Sequence, residues 1–268
     1  MGLAYERHGS GPPLVLLHGV GHRRQAWNAV LDLLAPHRTV IAVDLPGHGE
    51  SPPLKADGQP PVRVMAEEVI GFLGELGLER PHVAGNSLGG ALALLTAAAG
   101  RAATVTTLSP AGFWVSRRQV SYARAVFTSM QLTGAALRPL LPALARTTAG
   151  RAVLDAAIVA RPGKMSPEQA EGDALAFLGA RDAVHAILAD SPSFTADIPI
   201  PDGVPVTIAW GARDRLLPPS QARVARQRLP LARFVPLPGC GHVPMTDDPG
   251  LVARVLLDGS AHFDGSAH

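Results

Sequence analysis

Cysteine and lysine are nearly absent from this sequence of 268 residues, which contains one cysteine, Cys240, and two lysines, Lys55 and Lys164. A single cysteine excludes an internal disulfide and a cysteine-based metal site. The remaining basic residues are scattered arginines, and the formal net charge is only +2. A nucleic-acid-binding protein would carry a concentrated basic stripe, so the sequence argues against that class of function.

Long apolar runs are also absent, although 47% of the residues are hydrophobic and 17% are charged. No stretch approaches the roughly 18 apolar residues that a membrane span requires. The first residues lack the basic and apolar regions of a secretory signal. We therefore expect a globular protein without a membrane partner, located in the cytoplasm.

Short apolar runs alternate with longer helical patterns along most of the chain. This alternation predicts an α/β fold with a mostly parallel, doubly wound sheet. The strand candidates are Pro13 to Leu17, Thr39 to Val43, His82 to Gly85, Thr104 to Leu108, Val206 to Trp210 and Arg233 to Leu237. The helix candidates are Val62 to Leu76, Leu92 to Ala98, Ser220 to Arg228 and Leu251 to Leu257.

The alternation breaks off between Gly112 and Pro199, where helical patterns replace the strand-like runs. Within this region, Ser166-Pro167-Glu168-Gln169 has the residues of a helix start, with Ser166 as N-cap. We interpret residues 112–199 as a helical cap inserted into a core formed by residues 1–111 and 200–258. Residues 259–268, which contain part of a repeated Asp-Gly-Ser-Ala-His segment, are interpreted as a flexible tail.

The motif Gly85-Asn86-Ser87-Leu88-Gly89 lies between a strand candidate and a helix candidate. A tight turn from strand to helix needs small residues two positions before and after its central serine, and it exposes the serine hydroxyl above the sheet. Ser87 is therefore the candidate nucleophile. A serine hydroxyl needs a base and an oxyanion site to react.

The base and its acid are expected after Ser87, in the order acid and then histidine. His242 follows the last strand candidate in a run of loop-forming residues, and Asp214 follows the strand candidate before it. The loop after Thr104 to Leu108 contains no carboxylate, so Asp214 is the candidate acid. For the oxyanion site we predict the backbone N–H groups of Val20 and Leu88.

Three other conspicuous features are interpreted as structural. His18 is expected to shape the loop that contains Val20. The segment Asp44 to Ser51 is expected to form a tight loop in which Asp44 and Ser51 bind backbone groups. Cys240 has no base partner left to it and is expected to be a small core residue.

Taken together, His18-Gly19, Asp44 to Ser51, the Ser87 turn, Trp210 to Asp214 and Gly241-His242 resemble the α/β-hydrolase superfamily. The resemblance implies the α/β-hydrolase fold and hydrolysis of an ester, thioester, lactone, amide or carbon–carbon bond. Gly85 to Gly90 is similar to the corresponding turn of meta-cleavage-product carbon–carbon hydrolases. Gly241-His242-Val243-Pro244 is more similar to the esterase and lactonase branches, which places carboxylic-ester hydrolysis first.

The expected function is cleavage of a small, mostly apolar carboxylic ester, thioester or lactone through an acyl-enzyme on Ser87, without cofactor or metal. Trp114, Arg117 and Arg118 are candidates for contact with this small-molecule substrate. Carbon–carbon hydrolysis, a non-hydrolytic lyase or cyclase, and a small-molecule receptor remain alternatives, because a fold does not fix a function. The sequence leaves the oligomeric state open, a homodimer included.

Overall fold

The computed structural model of the chain describes residues 2–190, 193–194 and 198–261. In this part of the chain one sheet contains seven strands in the order β1-β3-β2-β4-β5-β6-β7. The strands are β1 (Tyr5–His8), β2 (Pro13–Leu17), β3 (Thr39–Val43), β4 (His82–Asn86), β5 (Thr104–Leu108), β6 (Val206–Gly211) and β7 (Arg233–Leu237). All neighbours are parallel except β1 and β3. The predicted α/β fold with a mostly parallel sheet is confirmed.

The six predicted strands correspond to β2–β7, and their ends differ from the prediction by at most one residue. These strands are recognisable because β2, β3, β4, β5 and β6 are buried along almost their whole length and need continuous apolar sequence. The edge strand β1 was not among the candidates. Its residues, Tyr-Glu-Arg-His, alternate between exposed and half-buried positions, so it carries little apolar signal.

Eleven α-helices accompany the described strands, and they flank the sheet or follow β5. They are α1 (Asn28–Leu34), α2 (Pro61–Glu75), α3 (Leu88–Ala98), α4 (Arg117–Leu137), α5 (Leu141–Ala145), α6 (Thr148–Asp155), α7 (Pro167–Gly179), α8 (Arg181–Asp190), α9 (Ser220–Arg228), α10 (Pro244–Asp247) and α11 (Pro249–Ser260). Helix α3 packs against α2, α11 packs against α1, and both α3 and α11 contact β5. None of the described helices combines the length and apolar character that a membrane crossing requires.

Helices α4 to α8 form a helical segment, residues 117–190, between β5 and β6. Its helices pack on one another, α7 against α4, α5 and α6. Ser166 caps α7 as predicted, since its hydroxyl accepts a hydrogen bond from Gln169 N at 3.1 Å and Pro167 opens the helix. The predicted cap, residues 112–199, contains this helical segment together with residues 191–192 and 195–197, which lie outside the described residues.

The predicted tail begins too early. Gly259 and Ser260 belong to α11, because both pack into the core instead of extending from it. The Ser260 hydroxyl donates to Leu256 O at 2.9 Å and accepts from Arg38 Nε at 3.1 Å. A Cβ atom on Gly259 would lie 2.1 Å from Thr106 Oγ1, so the helix touches β5 at this point. Residues 262–268, which hold the second copy of the repeated segment, lie outside the described residues.

Candidate active site

Ser87 occupies the turn between β4 and α3 with backbone angles of φ 55° and ψ −116°. A positive φ is unfavourable for a residue with a side chain, and such strain is typical of functional turns. The flanking glycines are required by close backbone contacts. A Cβ atom on Gly85 would lie 2.1 Å from Gly89 O, and one on Gly89 would lie 2.1 Å from Leu17 O. The turn is therefore as tight as the motif predicted.

Hydrogen bonds hold the Ser87 turn against β5 and against the loop of His242. Ser87 N donates to Leu108 O at 3.0 Å, and Ala111 N donates to Ser87 O at 3.0 Å. The amide of Asn86 donates to Leu108 O at 2.9 Å and to His242 O at 2.8 Å. Asn86 thus fixes the position of the predicted nucleophile relative to that of the predicted base. Sequence reasoning gave Asn86 no role, since nothing in the motif distinguishes it from any residue at the variable position.

His242 and Asp214 form a buried hydrogen-bonded pair, with 2.8 Å between His242 Nδ1 and Asp214 Oδ2. The other carboxylate oxygen, Asp214 Oδ1, accepts from Leu216 N at 2.9 Å and Leu217 N at 2.8 Å. All the acceptors of this carboxylate face donors, so its orientation is fixed. Because an ionised carboxylate can only accept, His242 donates through Nδ1, and the neutral form of its ring then has its lone pair at Nε2.

The three predicted catalytic residues meet at the carboxyl edge of the sheet. Ser87 and His242 line the same cavity of about 20 Å³, and Asp214 binds the far side of the His242 ring. All three are buried, with 5%, 3% and 4% of their surface exposed for Ser87, His242 and Asp214. The arrangement supplies a hydroxyl, an imidazole and a carboxylate in one buried site.

The predicted oxyanion residues flank this position. Val20 and Leu88 line, together with Ser87, a second cavity of about 40 Å³. Within the described part of the chain, neither backbone N–H donates to a protein acceptor. Leu88 is the first residue of α3, so its N–H lies at the positive end of the helix dipole. Both N–H groups are thus available to an oxygen of a bound molecule.

His18 holds the loop that contains Val20, as the structural interpretation expected. Its Nδ1 donates to Gly19 O at 2.7 Å and its Nε2 accepts from Leu45 N at 3.0 Å. This pattern requires a neutral ring. Complete burial and the neighbouring His48 lower the pKa of His18 well below its usual value. His18 therefore stays neutral at physiological pH and serves the backbone.

The loop from Asp44 to Ser51 is closed on itself, again as expected. Asp44 accepts from Glu50 N at 3.0 Å and from the backbone and guanidinium of Arg24. Ser51 donates to Asp44 O at 2.6 Å and accepts from Ala4 N at 2.9 Å. The side chains of Asp44 and Ser51 therefore stabilise the loop.

Of the three residues predicted to contact substrate, one lines a cavity at Ser87 and two do not. Trp114 lines the 40 Å³ cavity beside Ser87, where its contact with substrate stays a prediction. Arg117 and Arg118 begin α4 with exposed side chains and line neither of the two cavities at Ser87. Sequence reasoning missed Phe127, from α4, which lines both cavities. Its position depends on how the helical segment packs over the sheet, which no local motif indicates.

Asp247 is a further buried residue that sequence reasoning missed. Its carboxylate accepts from Gly241 N at 2.7 Å, Ala160 N at 3.1 Å and Arg161 N at 2.7 Å. Gly241 precedes His242, whereas Ala160 and Arg161 belong to the connection between α6 and α7. Asp247 therefore fastens the helical segment to the loop of His242. Among the described residues no group of three His, Cys, Asp or Glu side chains is arranged to hold a metal ion.

Comparisons with known proteins bear on the fold and the family of the chain. The sequence profile of a family described as "Alpha/beta hydrolase family" matches residues 14–255. An uncharacterized protein of Mycobacterium tuberculosis (strain ATCC 25618 / H37Rv) is 31% identical over 92% of this chain and 74% of its own length. A pimeloyl-[acyl-carrier protein] methyl ester esterase of Aeromonas hydrophila is 42% identical over 35% of this chain and 35% of its own length. The crystal structure of a membrane phospholipase A aligns with a TM-score of 0.75 and 26% identity, over 97% of this chain and 83% of that chain.

Proposed function

The chain belongs to the alpha/beta hydrolase family, and on this premise we propose that it is a serine hydrolase of small, mostly apolar carboxylic esters, thioesters or lactones. The observation that carries the proposal is the buried His242–Asp214 hydrogen bond of 2.8 Å in the loop that borders the Ser87 cavity. A histidine held in this way has one free ring nitrogen, Nε2, which can accept a proton. Ser87, on its strained turn, supplies that proton.

Acylation begins when His242 Nε2 takes the proton of the Ser87 hydroxyl as the oxygen attacks the substrate carbonyl carbon. The carbonyl π-bond opens and its oxygen becomes an oxyanion. Asp214 keeps the proton of His242 on Nδ1 and stabilises the imidazolium that forms. The imidazolium then donates its new proton to the leaving alcohol, and the acyl group remains on Ser87.

The oxyanion is expected to bind the N–H groups of Val20 and Leu88, which have no protein acceptor among the described residues. Such preorganised donors stabilise the developing charge without reorganisation, and loss of one typically slows acyl transfer about 10²–10³-fold. The N-terminus of α3 adds its positive dipole end at the same place. Deacylation repeats these steps with water, which His242 deprotonates for attack on the acyl carbon.

In this proposal the described residues of the predicted cap, residues 112–199, cover Ser87. Trp114, Phe127 and Ile187 face the cavity beside Ser87, so the wall that meets the acyl group is apolar. An apolar wall favours aliphatic or aromatic acyl groups over charged ones. The steps above use the side chains of Ser87, His242 and Asp214, the N–H groups of Val20 and Leu88, and a water molecule.

A fluorophosphonate probe tests the nucleophile, because its phosphorus reacts with an activated serine and stays bound. We expect one probe per molecule, on the peptide that carries Ser87, and no labelling of Ser87→Ala. A matched control is Ser109→Ala, since Ser109 lies at the end of β5 and binds the backbone of Gly211. Absence of labelling in the wild type, or equal labelling of Ser87→Ala, would exclude the proposal.

Carbon–carbon hydrolysis is a second candidate, favoured by the similarity of Gly85 to Gly90 to the turn of meta-cleavage-product hydrolases. The two candidates are separated by turnover of p-nitrophenyl esters of increasing acyl length against a ring-fission dienoate. We expect the esters to have the higher kcat/KM. A strong preference for the dienoate would reverse this order while leaving the labelling of Ser87 unchanged.

A further inference from the structure

A larger cavity lies within the helical segment and is used by none of the steps above. Its volume is about 460 Å³, and most of the lining side chains, from α4, α6 and α7, are apolar. Tyr122 and Val153 line it and are 48% and 60% exposed, so the cavity opens to solvent. Met130 and Phe177 line both this cavity and the small one that contains Ser87 and His242. The two cavities therefore share a wall.

Two carboxyl groups interrupt the apolar lining of the larger cavity. Asp155, the last residue of α6, and Asp173, in the middle of α7, are 5% and 6% exposed. In the described part of the chain, Asp155 Oδ2 and Asp173 Oδ1 accept no hydrogen bond. His22, which also lines the cavity, has an unpartnered Nδ1. These polar atoms are buried, and the residues that carry them line the cavity.

The charges around the two carboxyl groups do not balance. Arg23 Nε lies 3.6 Å from Asp173 Oδ1 and supplies one positive charge. Asp155 Oδ2 meets no donor, and an ionised carboxylate left unpaired in an apolar environment is strongly unfavourable. Burial, with a further contribution from Asp173, raises the pKa of Asp155 to about 7. Without a ligand, a proton on Asp155 therefore replaces the missing cation near neutral pH.

We propose that this cavity binds an ammonium group carried on an apolar body, with the carboxylates of Asp155 and Asp173 as its partners. One ammonium group would make the number of cations equal to the number of carboxylates, because Arg23 already pairs with Asp173. It would donate to Asp155, whose Oδ2 has no donor among the described residues. The apolar walls would hold the hydrocarbon part of the ligand. A neutral alcohol could donate one hydrogen bond, but it would leave the charges unbalanced.

For the substrate this inference rests on the proposed function. Because the cavity shares Met130 and Phe177 with the Ser87 cavity, the ligand is expected to be the distant part of an ester whose reactive carbonyl lies at Ser87. The substrate class is then an ester that carries an amine at its far end and an apolar chain or ring between the two. The occupied amine site would fix the ester relative to Ser87.

Calorimetric titration with hexylamine and with hexanol tests the site without any turnover. We expect hexylamine to bind the wild type at least about tenfold more tightly than hexanol, because only the amine balances the buried charge. This preference should vanish in Asp155→Asn, which keeps the shape and removes the charge. It should persist in Glu168→Gln, a matched control with an exposed acid on α7. Equal binding of amine and alcohol by the wild type would overturn the proposal.

Proton release provides a second measurement that needs no variant. Below about pH 7, binding of the ammonium group should expel the proton from Asp155, so that the calorimetric heat depends on the buffer and the affinity rises with pH. Asp155→Leu serves if Asp155→Asn does not fold, because it fills the site with an apolar group. It should bind hexanol and lose the preference for hexylamine. An amine preference retained by either variant would also overturn the proposal.

The two proposals fail separately. If fluorophosphonate labels Ser87 and hexylamine shows no preferential binding, the amine site is excluded and the serine hydrolase remains. If hexylamine binds and Ser87 is not labelled, the binding site remains and the serine hydrolase is excluded. Where both succeed, the p-nitrophenyl ester of aminohexanoic acid should have at least about tenfold higher kcat/KM than that of heptanoic acid. An equal kcat/KM would exclude the amine site as a substrate site.

Discussion

Asp214 and Asp155 are equally buried, with 4% and 5% of their surface exposed, yet their carboxyl groups have opposite surroundings. Asp214 accepts from Leu216 N, Leu217 N and His242 Nδ1. Asp155 Oδ2 accepts from no described residue, although Asp155 lines a cavity. The loops at the edge of the sheet are thus complete within the chain. The helical segment holds a carboxyl oxygen that has no partner among the described residues. The proposed chemistry depends on the first of these surroundings, and the proposed ligand binding depends on the second.

The largest effect is expected from Asp214→Asn. The amide oxygen will occupy the position that accepts from Leu216 N and Leu217 N, so the NH₂ group faces His242 Nδ1. This reverses the tautomer and places the imidazole proton on Nε2, where it blocks the uptake of the Ser87 proton. We expect kcat for p-nitrophenyl butyrate to fall about 10⁴-fold, the size seen for this change in a serine protease. Steady-state kinetics would check this, and a loss below about tenfold would contradict the assigned role.

The next largest effect concerns Asp155, whose carboxyl group is expected to make the protein less stable as pH rises. The folded-state pKa of Asp155, about 7, is higher than the unfolded value near 3.8, so the folded protein holds a proton that the unfolded chain has released. Stability from this group is therefore present below about pH 4 and is lost as pH rises to about 7, by about 4 kcal/mol. Asp173, His22 and Arg23 face the same cluster, and burial also raises the pKa of Asp173.

Asp155→Asn removes this pH dependence. The free energy of unfolding of the variant, relative to the wild type, should increase between about pH 4 and pH 7 and then stay constant. Urea unfolding at a series of pH values measures it, with Glu168→Gln as control. Parallel curves for wild type and Asp155→Asn would show that the carboxyl group has a partner after all.

Asp247 connects the loop of His242 with the helical segment. Its substitution is expected to have the next largest effect, on the free energy of unfolding. Asp247→Ala leaves three N–H groups without an acceptor, that of Gly241 in a buried position and those of Ala160 and Arg161 in part-buried ones. We expect a loss of about 3 kcal/mol in the free energy of unfolding. The neighbouring Asp248→Ala is the matched control, since it removes only the N-cap bond to Leu251 N and should cost about 1 kcal/mol. Equal losses for the two variants would contradict the connecting role.

The smallest effect is expected at Cys240, which is fully buried beside the loop of His242. Burial, followed by the nearby carboxylates of Asp247 and Asp248, raises the pKa of this thiol to about 11. The thiol stays protonated and inaccessible at neutral pH, so Ellman's reagent should leave the native protein unmodified. Because the chain contains a single cysteine, denatured protein should give one thiol per molecule. Rapid reaction of the native protein would show that this loop opens.

Much of the sheet and of the loops with the catalytic candidates could be predicted from the sequence, because short stretches of sequence indicate them. The buried strands need apolar runs, and the Ser87 turn needs glycines where Gly85 and Gly89 approach other backbone groups. Asp214 and His242 each lie in the loop after a strand, so the sheet brings them to the same edge. The polar strand β1 was not predicted, because a strand at the edge of the sheet needs few apolar residues.

The cavity lined by Asp155 and Asp173 could not be predicted from the sequence, because it depends on how the helices of the helical segment pack. Asp155 ends α6 and Asp173 lies in α7, and neither belongs to a motif that indicates a ligand. Arg117 and Arg118 were chosen for their place at the start of the helical segment, yet their side chains are exposed there. The orientation of α4 places Phe127 on both cavities at Ser87, and neither arginine lines them.

The central claim is that Ser87 carries the acyl group, and trapping that intermediate tests it most directly. Wild-type protein and Ser87→Ala would be mixed with p-nitrophenyl butyrate, quenched in acid within the first turnovers and examined by peptide mass spectrometry. The account predicts one butyryl group per wild-type molecule, on the peptide that contains Ser87, and neither acylation nor turnover in Ser87→Ala. A butyryl group on another residue, or turnover by Ser87→Ala at the wild-type rate, would contradict it.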